Sequence, residues 1–228
     1  MAEPTVTAAI AVRDGEAYLA EAIESILAQS RPCEQVIVVD NGSTDRSAEI
    51  AGGFAPAVEV VSEPSEGIGA ARNAALRSAR GSHVAFLDAD DLWDPAKTAL
   101  QLAAFEADPS LQLAFGHVRQ FVSPDLPAGE AAALRVPADP QPGAYIGAML
   151  AARSALEAVG PWPEDVQVSD GLTFMLRARE LGLKQAMLPQ TVTLRRVHGE
   201  NHSIRNRGER TEFARMLKRS LDRRRAGL

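Results

Sequence analysis

The feature that most constrains the fold is a recurrence: short apolar runs rich in β-branched residues, each ending in turn formers or carboxylates, separated by stretches of helical period. Val6–Val12 reads as a buried first strand followed by the turn signal Asp14-Gly15. Residues 18–29 then set Leu19, Ala22, Ile23, Ile26 and Leu27 at helical spacing, and Pro32 stops them. Residues 35–39 form a second strand, which runs into the turn-rich, acidic loop 40–45, and a short helix near 47–52 leads to a third strand at 58–61. Residues 67–80 read as a helix closed by Gly81, and 84–87 as a fourth strand ending in Asp88-Ala89-Asp90-Asp91. Strands alternating with helices at this pace imply an α/β domain on an open, mostly parallel, Rossmann-like sheet with right-handed crossovers. The strands are continuously apolar because helices cover both faces of such a sheet.

After a helix near 97–107 and a strand near 113–122 the regularity fades into a proline-rich loop, 123–142. With 46% hydrophobic and 24% charged residues over 228 positions, the chain can bury one core, and a single domain is expected. Its expected parts are a ligand-binding half at 1–115, an irregular second half at 116–204 and a basic tail at 205–228. The net charge of −6 is uneven, since nine basic residues against three acids make the tail +6 and the rest −12. An acidic body with 5% aromatic residues argues against nucleic acid as a partner. One cysteine, Cys33, makes no internal disulfide, the first residues lack the layout of a secretory signal, and no apolar run spans a bilayer. The expected location is cytoplasmic, at most peripheral to a membrane.

Ligands of open α/β sheets sit outside the carboxyl ends of the strands. Three such loops here are acidic: Arg13-Asp14, 40–45 and 88–91. Asp40 and Asp45 also suit turn and helix capping. The triple Asp88, Asp90 and Asp91 is harder to explain that way, because carboxylates crowded at one rim repel unless a cation or hydrogen-bond donors compensate. A hard divalent ion answers that need through one or two carboxylates and substrate phosphates.

Phe86-Leu87-Asp88-Ala89-Asp90-Asp91-Leu92-Trp93-Asp94-Pro95 resembles the DXD signature of inverting glycosyltransferases of family 2, which have the GT-A fold. Val38-Val39-Asp40-Asn41-Gly42-Ser43-Thr44-Asp45 resembles that family's second-strand motif, and Gly67-Ile68-Gly69-Ala70-Ala71-Arg72-Asn73 its glycine-rich segment. The resemblance implies a nucleotide-sugar donor, a UDP-sugar first among them, and a divalent cation, Mn2+ or Mg2+. It implies that Asp40, with Asn41 beside it, meets the base or ribose, and that Ala11, Val12, Arg13 and Asp14 line the base. Asp88 and Ala89 would touch ribose or sugar, Asp90 would hold the metal against the diphosphate, and Arg72 would approach the sugar or phosphates. Arg72 also suits a plainer role, neutralising the acidic rim.

In the second half, Pro163-Glu164-Asp165 and Ser169-Asp170-Gly171-Leu172 resemble the family segment in which one carboxylate at a helix start is the catalytic base. Asp170 is the candidate, Asp165 the alternative, and helix capping by Ser169 and Asp170 the plainer reading. Arg195-Arg196-Val197-His198-Gly199-Glu200-Asn201-His202-Ser203 resembles the motif after the last strand, which makes His198 a metal ligand or diphosphate contact and Arg196 a phosphate partner. A sugar nucleotidyltransferase or a nucleotide-sugar-binding homologue without turnover remain alternatives. The acceptor is open: a glycan, a peptide, a lipid-linked or a small molecule, met by 123–142 and 143–149. In the tail, Phe213, Met216, Leu217 and Leu221 form an apolar stripe that suits packing on the body, homodimerisation or an anionic membrane surface.

Overall fold

The computed structural model describes residues 3–164, 170–199 and 201. The tail at 205–228, with its expected helix, lies outside those residues, as do Asp165 and Ser169.

The first half follows the alternation in the sequence. Strands β1 (Val6–Val12), β2 (Gln35–Asp40), β3 (Glu59–Ser62) and β4 (His83–Asp88) alternate with helices α1 (Leu19–Leu27), α2 (Ser47–Gly52) and α3 (Ile68–Ser78). Then follow β5 (Leu92–Trp93), α4 (Lys97–Ala107), β6 (Leu113–Val122), α5 (Ala128–Ala133), β7 (Gln141–Pro142), a 3-10 turn at Ile146–Ala148, β8 (Leu150–Ala152), α6 (Arg153–Val159), α7 (Asp170–Glu180) and β9 (Gln185–Val197). One sheet of the described residues joins the strands in the order β3-β2-β1-β4-β8-β6-β9-β5, with β7 beside β6. The β3-β2-β1-β4 half is wholly parallel. Beyond β4 the pairing mixes: β8 is antiparallel to β4 and β6, β9 is parallel to β6, and β5 is antiparallel to β9.

Alternate residues of each strand feed opposite faces. Ala8, Ile10, Val36, Val38 and Leu87 pack with Leu19, Ile23 and Ile26 of α1 and with Leu102 and Phe105 of α4. Ala9, Ile37, Val39, Phe86 and Phe115 pack on the other face with Ala71, Ala74 and Ala75 of α3, Leu156 of α6, and Trp162 and Phe174. Each large apolar side chain so buried contributes about 1.5–3 kcal/mol. The alanines of α3 let that helix lie close to the sheet, which matters for the site it carries.

One charged residue sits inside the first layer. Lys97 is fully buried, its Nζ over the Trp93 ring at 4.8 Å and donating to Met149 O at 3.2 Å and to the Gln101 side-chain oxygen. Burial brings its ammonium down to about 7.

Candidate active site

After β3 at one edge, the chain returns to the other side of β1, so β1 and β4 flank the point where the strand order reverses, the usual crevice of open α/β sheets. Register fixes what meets there: Val12 is opposite Asp40, and Ala11 is opposite Asp88. Two carboxylates therefore stand one strand to either side of the end of β1, roughly 10 Å apart at the usual strand spacing.

The loops behind this rim are tied to one another. Asp14, at φ +52, accepts from the Thr44 amide at 2.7 Å and the Thr44 hydroxyl at 3.1 Å, while its own amide donates to Ser43 Oγ at 3.1 Å. The Thr44 amide holds the Asp14 carboxyl below the usual carboxylate range. Arg13 pairs with Glu66 at 3.2 Å, both well exposed. Asn41 is buried and spends its side chain on the loop after β3: Nδ2 donates to Glu63 O at 3.0 Å and Ser65 O at 2.6 Å, and Oδ1 accepts from the Gly67 amide at 2.9 Å. Asp40 Oδ1 accepts from the Ser43 amide at 3.2 Å and remains partly open to solvent.

The glycine-rich segment builds the next wall. Gly67 adopts φ +114, a conformation side chains resist, and starts α3. A Cβ on Gly69 would lie 2.4 Å from Pro163 O, so only glycine lets α3 meet the segment that leads toward α7. Asn73 closes that contact, donating to Trp162 O and Glu164 Oε1 at 3.0 Å each and accepting from the Trp162 amide at 2.8 Å. Arg72, 7% exposed, extends to within 3.5 Å of Asp88 Oδ1. Both readings of Arg72 in the sequence, rim neutralisation and a place beside the donor, suit this position.

The acidic turn closes with Asp91 N donating to Asp88 O at 3.1 Å. Asp91 is buried, its Oδ1 accepting from the Arg196 amide at 2.9 Å and its Oδ2 facing the Tyr145 hydroxyl at 3.5 Å. Burial first, and then Asp88 and Asp90, push its carboxyl well up. Asp90 is partly exposed, and its Oδ2 meets His198 Nε2 at 3.1 Å and accepts from Asn201 Nδ2 at 3.0 Å. Asn201 Oδ1 in turn accepts from the His198 amide at 2.6 Å, fixing the turn that carries the imidazole. Tyr18 packs on His198 with ring centres 5.0 Å apart.

Arg196 departs from its expected role as a phosphate partner. It is 2% exposed and lies under the rim, donating to Asp90 O at 3.1 Å, Ser123 Oγ at 3.2 Å and Glu21 Oε2 at 2.6 Å, with its guanidinium over Tyr18 and Phe121. A planar cation with five donors suits such a hub. Asn201 and Tyr18 are site neighbours that the sequence did not single out, and Tyr145 lies in the segment 143–149 expected at the acceptor; the spacing His198-x-x-Asn201 was the available signal for Asn201, as a local side-chain-to-backbone turn.

The rim thus gathers Ala11, Val12, Asp40, Asp88, Ala89, Asp90 and His198, with Arg72 behind Asp88. Asp170 is the first residue of α7. Among the described residues no group of three or more His, Cys, Asp or Glu side chains is set to hold a metal ion. Asp90 and His198, 3.1 Å apart, are a mixed carboxylate and imidazole pair that fits a divalent ion drawing its other oxygens from a diphosphate and water.

Residues 7–129, more than half of the chain, match the model of glycosyl transferase family 2, and the chain belongs to that family. It is 34% identical over 113 residues to the putative glycosyltransferase EpsH of Bacillus subtilis, covering 47% of this chain and 33% of that protein. It is 39% identical over 89 residues to the putative teichuronic acid biosynthesis glycosyltransferase TuaG of the same organism, covering 37% of this chain and 35% of that protein. The aligned stretches thus span about a third of these relatives' lengths. The structure resembles S. aureus TarS 1-349 in complex with UDP-GlcNAc (TM-score 0.69, 19% identity, 87% of this chain and 60% of that one). It also resembles the mannosyltransferase PcManGT of Pyrobaculum calidifontis in complex with GDP-Man and Mn2+ (TM-score 0.66, 24% identity, 88% and 59%). The fold is therefore that of the GT-A glycosyltransferases, as the sequence motifs imply.

Proposed function

We propose that this protein transfers a sugar, with inversion, from a nucleoside diphosphate donor to a hydroxyl acceptor, and that the donor is a UDP-sugar. The observation that carries this reading is the convergence of Asp40, Asp88 and Asp90 on the strand ends at the topological switch, with His198 on Asp90. Structures of the same fold in complex with UDP-GlcNAc, and with GDP-Man and Mn2+, support it.

In this reading, Asp40 and the strand-end backbone at Ala11 and Val12 orient the nucleoside. Arg13, Asp14 and Asn41 act through the loops they hold. Asp88, with Ala89 beside it, orients ribose and sugar, and Arg72 balances its charge. Asp90 and His198 would hold a divalent cation, which would supply charge neutralisation for the leaving diphosphate. Asp170 is the proposed base, with Asp165 the alternative: it takes the acceptor proton as the hydroxyl oxygen bonds to the anomeric carbon and the bond to the diphosphate breaks on the opposite face. Residues 1–115 form the donor half and 116–204 the acceptor half.

Incubation of the protein with UDP-sugars and Mn2+ tests this. Slow release of UDP from one donor, abolished by chelator, together with a raised melting temperature in that donor's presence, is expected. Release at full rate in chelator would overturn the metal, and neither binding nor release with any nucleotide sugar would overturn the reading.

A further inference from the structure

A cavity of about 490 Å³ adjoins the acidic turn on its α7 side. Arg72 and Tyr145 line it and also reach that turn, Arg72 toward Asp88 at 3.5 Å and Tyr145 toward Asp91 at 3.5 Å, so it lies directly beside the proposed donor site. Its long wall is one face of α7: Gly171, Leu172, Met175, Leu176 and Arg179 follow one another at helical spacing. The core uses the adjoining face of α7, with Phe174 stacked on Trp162, Ala178 fully buried and Met175 at the border of the two faces, partly packed on the core. Leu172 is 41% exposed and Leu176 half-buried, so the side of α7 toward the cavity keeps apolar surface that the core does not cover.

The described lining of this cavity differs in charge from the rim next to it. Among the described residues that line it none is acidic, and two are arginines. Gly171 and Arg179 stand just over two turns apart, about 12 Å along the helix axis, with apolar side chains between them.

We infer that this cavity holds the acceptor, and that the acceptor is an amphiphile: a hydroxylated head at the acidic turn, an apolar stretch along Leu172, Met175 and Leu176, and an anionic group at Arg179. The inference rests on the transferase reading for the word acceptor; the chemistry of the ligand rests on the cavity. Arg179, exposed on the helix, offers a planar fork that suits a carboxylate or a phosphate.

The test uses glucosides bearing a C8 alkyl chain that ends in a carboxylate, a phosphate monoester or a neutral methyl ester, titrated into the full chain by calorimetry without donor. At least one anionic probe is expected to bind tenfold or more tighter than the methyl ester, and the carboxylate and phosphate arms tell which anion the site prefers. Arg179→Gln should erase the preference, Arg179→Lys should restore part of it, and Leu176→Asp should weaken all three probes. Equal binding of charged and neutral probes, or a preference that survives Arg179→Gln, would overturn the inference. Release of UDP from donor is measured separately on the same protein. Its absence would count against the transferase reading, while the titration still decides the cavity.

Discussion

Both described partners of the Asp90 side chain, His198 and Asn201, meet it at one oxygen, Oδ2, on the rim of the proposed donor site. Asp90→Asn keeps the shape and removes one of the two carboxylates that crowd buried Asp91. Donor turnover should fall about a hundredfold or more, since charge neutralisation at a leaving diphosphate is worth several kcal/mol. The melting temperature should hold or rise, because like charges are relieved. A collapse in both would mean that Asp90 is structural, and parallel UDP-release and melting assays read the difference. Cys33 makes a second case. Burial pushes its thiol up to about 12, so iodoacetamide at pH 8 should label native protein far more slowly than urea-unfolded protein. At this scale, the sequence makes Asp40, Asp88 and Asp90 legible, because a carboxylate at the end of an apolar strand has few other reasons to be there. It does not reveal that Arg196 is buried or that Asn41 serves a loop, because those facts depend on which backbone groups come within 3 Å after folding.

Among the elements, α3 couples the donor rim to the segment before α7 through one close contact, Gly69 on Pro163. The obstacle a Cβ meets there is backbone, which yields less readily than a side chain. Gly69→Ala should therefore cost about 1–3 kcal/mol by overpacking, measured as a lower urea midpoint. Because Asn73 ties the same segment, the variant should also lose protection from amide exchange at Trp162, whose amide donates to Asn73. An unchanged exchange rate would show that the contact does not govern that segment. The strands β1, β2 and β4 were legible because four or more β-branched or apolar residues in a row bury on both faces. β5 and β8 were not, since two or three residues carry no period and form only by pairing with β9 and with β4 and β6. The loop 123–142 also hides two elements, α5 and β7, neither of which buries enough apolar surface to leave a pattern.

For the whole molecule, the buried Lys97 gives stability a component that rises with alkalinity. Its pKa is about 7 when folded and 10.5 when unfolded, so between those values the unfolded chain binds the extra proton and stability rises with pH. Below about 7 both states are protonated and the burial cost is present in full. Relative to Lys97→Met, the natural chain should gain up to about 1.4 kcal/mol per pH unit from 7 to 10, read as the gap between urea midpoints. A flat gap would mean that the ammonium stays charged inside. The parallel half and its acidic rim were legible in the sequence, whereas the mixed half was not, because its strand order joins segments far apart in the chain. That distance bears on how the protein is made. Asp90 meets His198 across 108 residues, so a ribosome adding about 5–20 residues each second spends roughly 5–20 seconds between the two. Throughout that interval the nascent chain carries its acidic turn without the imidazole that partners it, and the pair can form only after β9 has been translated.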